Sequence, residues 1–244
     1  MKIILDRWQG LGDNLQISTI PRRMFEKYGE KCVWISDATF YRNPEIRGLV
    51  WESNPYVAGF TDEPGESKRG LINFGNYNWI EMWERIYGLE EPYSSKPEIY
   101  VSGFKDTFNV SSSVVIDISY SEESLTVNQK HFPQFLEKHR AFIKDLYKSL
   151  ENKSVYKVIN PNLSKQASVD LIAALCPEIE TKVLQVTNIK EYCEVISNCS
   201  NFVSTHSGNH SLAAALRQFS VCLIPANYYH GKYFTYPNVK YVLL

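Results

Sequence analysis

Apolar positions along the chain fall into short runs separated by polar, glycine-marked loops. Residues 2–5 form the first run, closed by Asp6, and predict a strand. A loop with Gly10 and Gly12 follows. Leu15, Ile20, Met24 and Tyr28 then recur mainly four apart, which predicts a helix from about 13 to 28. Pro21 lies inside that pattern, so a kink or break is expected there. Gly29 stands where a C-cap glycine belongs. Residues 31–36 predict the next strand, completing a β-loop-α-β unit with a right-handed crossover. From 37 to 78 the pattern is irregular and rich in Gly, Pro and Asn, with short strands expected near 48–51, 57–60 and 70–74. Residues 79–88 predict a helix and 98–101 a strand, and the polar, Ser-rich stretch 102–112 predicts a linker.

The second half alternates more regularly. Strands are expected at 114–118, 155–159, 181–186, 201–205 and 219–224. Helices are expected at 133–150, where Pro133 suits the first turn, and at 164–175, 188–197 and 207–217. Such alternation predicts a parallel sheet with helices on both faces. An aromatic loop at 227–237 and a short terminal strand or tail complete the chain. The expected architecture is α/β: two Rossmann-type, doubly wound parallel-sheet domains, 1–106 and 107–226, facing a cleft, with 227–244 as a C-terminal loop and tail. Ligands are expected beyond the C-terminal strand ends and in that cleft.

Composition narrows the classes. A chain of 244 residues with 44% hydrophobic and 22% charged residues is globular. A net charge of −1 makes a nucleic-acid partner unlikely on electrostatic grounds. The basic residues from Lys138 to Lys148 interleave with Asp145, beside Glu137, as on a solvated helix face. The five cysteines, Cys32, Cys176, Cys193, Cys199 and Cys222, are odd in number and form no CxxC pair, which fits a reducing compartment. The first residues are too short an apolar run for a signal peptide, and no stretch approaches the ~20 apolar residues of a spanning helix. A cytoplasmic location is expected.

Three segments carry candidate chemistry. Gly10-Leu11-Gly12-Asp13-Asn14 follows the first strand and opens a helix. Its glycines permit a tight turn and a close ligand, and Asp13 is either a helix cap or a carboxylate aimed into the cleft. Lys130-His131-Phe132-Pro133 precedes the 133–150 helix, where a lysine can neutralise a phosphate that the helix dipole also attracts. His206-Ser207-Gly208-Asn209-His210-Ser211 opens a helix of small residues, Ala213 to Ala215. Its first N–H groups can cradle a diphosphate, or Ser207 simply caps a structural helix. Zinc is rejected, because His206 and His210 lack Cys or carboxylate partners at ligand spacing. The aromatic loop Tyr228 to Phe234 suits either stacking on a base or sugar, or packing against the other lobe.

Taken in order, the three segments resemble the heptosyltransferase-like glycosyltransferases, family 9 of the GT-B fold. Gly10, Gly12, Asp13 and Pro21 match its opening Gly-x-Gly-Asp and proline-containing helix. Lys130 to Pro133, with Phe135, match its Lys-Arg-Trp-Pro-like segment, and residues 206–215 match its Asp-Ser-Gly-x-x-His-Leu-Ala-Ala-Ala signature. The chain departs from the pattern at His206 and Ser211, where the family has Asp and His. It departs also at Asp117 to Ser121, where the family has a His-Pro-Gly-Ala loop.

The resemblance implies an inverting, metal-independent transfer of a sugar from a nucleotide-sugar to the hydroxyl of a glycan or lipid-linked glycan. The nucleotide-sugar is a co-substrate and no cofactor is implied. Asp13 would act as general base. Lys130, Ser119, His206, Ser207, Gly208, Asn209 and His210 would hold the donor, and Trp8, Gly10, Gly12 and Asn14 would face the acceptor. Membrane contact is expected only peripherally, through a lipid-linked acceptor. Two other readings share the architecture: a transferase acting on modified DNA bases, and a non-catalytic nucleotide-sugar-binding module.

Overall fold

The computed structural model describes residues 1–72, 77–117, 155–159, 181–216, 219–224 and 235–243, with isolated helical positions at 137, 140, 141, 144, 145 and 148. Its first half holds β1 (Ile3–Leu5), α1 (Leu11–Gln16), α2 (Ile20–Tyr28), β2 (Val33–Ser36), β3 (Val57–Thr61) and α3 (Trp79–Ile86). Strands β1, β2 and β3 pair in that order, all parallel. The expected helix over 13–28 is broken at Ile17 to Thr19, and Pro21 takes the second position of α2, where its missing N–H costs nothing. Gly29 ends α2 at φ 72°, a left-handed conformation that favours glycine.

The second half holds β4 (Val114–Asp117), β5 (Val155–Ile159), β6 (Thr181–Gln185), α4 (Ile189–Asn198), β7 (Asn201–Thr205), α5 (Gly208–Ala215), β8 (Ser220–Ile224) and β9 (Val239–Leu243). The sheet order is β6-β5-β4-β7-β8-β9, and every pair is parallel. Counted within this half, that is the Rossmann order 3-2-1-4-5-6, which reverses direction between β4 and β7. The final segment, expected as a short terminal strand or tail, is the sixth strand of this sheet, in register with all of β8 from Ser220 to Ile224.

Among the described residues two expected strands, at 48–51 and 98–101, are absent. The apolar run 48–51 lies in a π-helical turn, Arg47–Glu52, with Leu49, Val50 and Trp51 buried. A short continuous apolar run suits a buried helical turn as well as a strand, and here packing decided. Residues 98–101 brace α2 instead: Glu98 N–H donates to Ser18 Oγ at 2.9 Å, and the Glu98 carboxylate accepts from Arg22 at 2.9 and 3.0 Å.

The two halves are packed together. One apolar core runs from Leu5, Leu15, Ile35 and Trp51 through Leu212 and Ala213 to Val115, Ile196 and Phe202. A smaller cluster joins Ile80 of α3 to Ala214, Cys222, Ile224, Tyr236 and Val239. Polar contacts reinforce the junction: the Glu45 carboxylate accepts the first N–H of α4, from Ile189, at 2.5 Å. Among the described residues no helix is long and apolar enough to cross a membrane.

Candidate functional site

The site lies where two helix starts meet. Helix α1 leaves the C-terminal end of β1, and α5 leaves the C-terminal end of β7, beside the reversal point of the larger sheet. Open α/β sheets hold ligands in that crevice. The two starts touch through glycine backbones. A Cβ placed on Gly12 would lie 3.2 Å from Gly208 Cα, and one placed on Gly208 would lie 3.0 Å from Gly12 N. No larger residue fits either position without moving main chain.

On the α1 side, Asp13 is the third helical residue, and its Oδ2 accepts the Gly10 N–H at 3.2 Å. A Cβ on Gly10 would sit 2.7 Å from that oxygen, so a larger residue there would make the Asp13 side chain shift. A carboxylate in the first turn of a helix is also favoured by the dipole. Of the two readings left open by the sequence the structure describes the cap: Asp13 closes α1 with one oxygen, and the residue is partly buried. Asn14, expected to face an acceptor, is fully buried and has a structural job. Its Nδ2 donates to Trp8 O at 2.8 Å and Gly10 O at 2.7 Å, and its Oδ1 accepts from Trp51 Nε1 at 2.8 Å. These bonds shape the glycine loop. Trp8 stands half-buried, edge-on to Trp79 and Trp83, with ring centroids 6.2 and 6.1 Å away.

On the α5 side, Ser207 is the N-cap and His210 the third helical residue. Ser207 Oγ accepts the Asn209 N–H at 3.3 Å, and His210 Nδ1 accepts the Ser207 N–H at 3.2 Å. This capping box occupies two of the three N–H groups expected to cradle a diphosphate. The Gly208 N–H makes no hydrogen bond among the described residues. His210, expected to hold a donor, is 1% exposed and packs under Tyr236, with ring centroids 5.3 Å apart. Its next neighbour Ser211 bonds the Tyr236 hydroxyl at 3.0 Å. The burial has a clear cause: Tyr236, three residues ahead of β9, and Tyr241 of β9 lie against the His210 ring, a contact that the sequence pattern did not show. His206 remains partly buried at the exit of β7, its ring stacked on His210 at 4.7 Å.

Asp117, singled out in the sequence only as a departure from a family pattern, is the main feature that residue reading missed. It ends β4 with no exposed surface, opposite Ser204 of β7. Its Oδ2 accepts from the Tyr192 hydroxyl at 2.5 Å and from Asn209 Nδ2 at 2.8 Å. Burial, and then the neighbouring Asp117 charge, push the Tyr192 hydroxyl far above its ordinary pKa, so it stays a donor. The Asp117 carboxylate thus ties α4 and the second residue of α5 to the reversal point. The Ser204 hydroxyl beside it is buried with no hydrogen-bond partner among the described residues. An apolar run that ends in Asp at a strand's C-terminal end was the available signal.

Lys130, Ser119, the segment Lys130 to Pro133 and the aromatic loop Tyr228 to Phe234 lie outside the described residues. Among the described residues no three His, Cys, Asp or Glu groups gather at metal-binding distance. Cys193 and Cys222 are buried thiols whose pKa values are raised by burial, and neither has a disulfide partner.

The architecture has solved counterparts. The glycosyl transferase family 9 protein from Veillonella parvula superposes with a TM-score of 0.68 over 100% of this chain and 85% of its own, at 9% identity. The E. coli ADP-heptose lipopolysaccharide heptosyltransferase II gives 0.64 over 100% and 90%, at 15% identity. The iron-containing dodecameric glycosyltransferase TibC from enterotoxigenic E. coli gives 0.55 over 98% and 63%, at 14% identity. No protein-family model and no curated protein sequence matches the chain. The fold is therefore of the GT-B type, shared with family 9 glycosyltransferases and heptosyltransferases.

Proposed function

We propose that the chain is a glycosyltransferase that moves a sugar from a nucleotide-sugar to a hydroxyl of a glycan or lipid-linked glycan, with inversion and without a metal. One observation carries this reading: the start of α1, where Gly12 precedes the partly buried Asp13, is packed backbone to backbone on the start of α5, at the reversal point of a Rossmann sheet, within a GT-B-type fold. The acceptor hydroxyl gives its proton to Asp13 as its oxygen attacks the anomeric carbon. The bond from that carbon to the diphosphate breaks, and the nucleoside diphosphate leaves with the electron pair.

A carboxylate is in general a weak base toward an alcohol, and one Asp13 oxygen already accepts the Gly10 N–H. Proton transfer must then come late, when the acceptor oxygen is already bonded to carbon, and stabilising the leaving group becomes the larger task. The α5 start, the Gly208 N–H and Lys130 serve that purpose. A cytoplasmic location and a lipid-linked acceptor met peripherally belong to the same proposal.

A thermal-shift screen against UDP-, GDP-, ADP-, CMP- and dTDP-sugars tests it, since a ligand that binds only the native state raises the midpoint. The expected result is a shift with one nucleotide class, lost in Lys130→Ala and kept in Asp13→Asn. Product release that survives EDTA supports the metal-free reading, and its loss on chelation refutes it. A shift with one nucleotide class but no release of free nucleotide moves the non-catalytic binding module to the front, and no shift with any donor counts against both readings.

A further inference from the structure

We infer that Gly12 and Gly208 are positioning residues: their backbone contact sets the distance between the Asp13 carboxylate and the α5 start. The inference rests on the transferase reading above. Gly12 immediately precedes Asp13, and Gly208 is the first residue of α5. Each would place a Cβ at 3.2 Å or less from backbone of the other, and a Gly208 Cβ would also stand 3.7 Å from Leu11 Cβ. Backbone cannot rotate away as a side-chain end does, so a methyl at either position separates the helix starts by a few tenths of an ångström.

The neighbouring structure directs that strain into the gap. Asn14, buried and triply hydrogen-bonded, fixes the α1 side. Asp117, through Asn209, fixes the α5 side. Neither side has slack, so the added methyl acts on the spacing between them. Transfer rates fall steeply when reacting groups are displaced by a fraction of an ångström to an ångström, whereas binding to one side alone does not. Gly12 lies on the base side, so a methyl there changes the spacing while leaving every residue of α5 itself unaltered.

The test uses the full chain as wild type, Gly12→Ala, Gly208→Ala and the double variant. Gly70→Ala serves as a control, because a Cβ there meets nothing within 4 Å. Nucleotide release is measured from UDP-glucose, GDP-mannose, ADP-heptose and dTDP-rhamnose, and dissociation constants for the matching nucleoside diphosphates are measured by calorimetry. The expected result for Gly12→Ala is a kcat at least tenfold lower, with KM and nucleotide affinity within twofold of wild type. The double variant should lose little more than the worse single one, since both methyls open the same gap. Gly70→Ala should match wild type. Wild-type turnover with an unaffected Gly12→Ala, or with nucleotide affinity falling in step with kcat, overturns the positioning role alone. A wild type that binds a nucleotide but releases none from any donor refutes the transferase reading, and the positioning role falls with it.

Discussion

Helices α1 and α5 begin with the same device and use it in opposite ways. Each has its third residue reaching back to the N-cap N–H: Asp13 to Gly10, and His210 to Ser207. In α1 the reaching group is a partly buried carboxylate, and the cap residue is a glycine that leaves it room. In α5 it is a buried imidazole under Tyr236, and the cap is a hydroxyl that bonds a second N–H. Negative charge near α5 comes from below, as Asp117 at the end of β4. The same local motif therefore presents a partly buried carboxylate on one side of the junction. On the other it presents a closed helix start whose Gly208 N–H makes no hydrogen bond among the described residues. Side-chain burial, rather than the motif, decides which.

Asp13→Asn breaks the comparison most sharply. The amide oxygen can still accept the Gly10 N–H, so thermal stability should stay within about 0.5 kcal/mol, while the rate of nucleotide release falls by about 10² to 10⁴, the usual worth of a general base. Asp117→Ala tests the support beneath α5. It leaves the Tyr192 hydroxyl and the Asn209 amide buried without their acceptor, and urea unfolding should show a loss of about 3 kcal/mol. A loss below about 1 kcal/mol would mean that other groups hold α5 in place.

Asn14→Ala tests the support beneath α1. It strips the Trp51 indole N–H of its partner and leaves a buried void, so a loss of about 2 kcal/mol is expected, together with a slower reaction as the glycine loop relaxes. Ser207→Ala is the mildest change. Loss of one cap bond should cost about 1 kcal/mol by denaturant midpoint. It also frees the Asn209 N–H, so nucleotide affinity should hold steady or rise; a large drop would show that the Ser207 hydroxyl itself contacts the donor.

Much of the larger sheet was legible in the chain. The strands from Val114, Val155, Thr181, Asn201 and Ser220 are short β-branched and apolar runs bounded by polar loops, and each formed where that pattern placed it. The Pro21 break and the Gly29 cap were legible too, because those residues restrict or free the backbone by their own covalent structure. The first half was less legible. Its Gly- and Pro-rich stretch gave no period to read, and the run at 48–51 became a helical turn because Trp51 found the Asn14 side chain as its partner.

The candidate site divides the same way. By itself the sequence determined which residues start helices α1 and α5, because a glycine or serine cap with a polar third residue is a local matter of four or five positions. It also determined that the second half is a parallel α/β sheet, since alternation of short apolar runs with helical periods allows little else. Only the tertiary structure decided that Gly12 meets Gly208, that Asp117 lies beneath Asn209, and that Tyr236 and β9 seal His210 from solvent. Those contacts join residues roughly 25 to 200 positions apart. Their physical cause is close packing of main chain and burial of polar groups that must find partners, which no local pattern encodes.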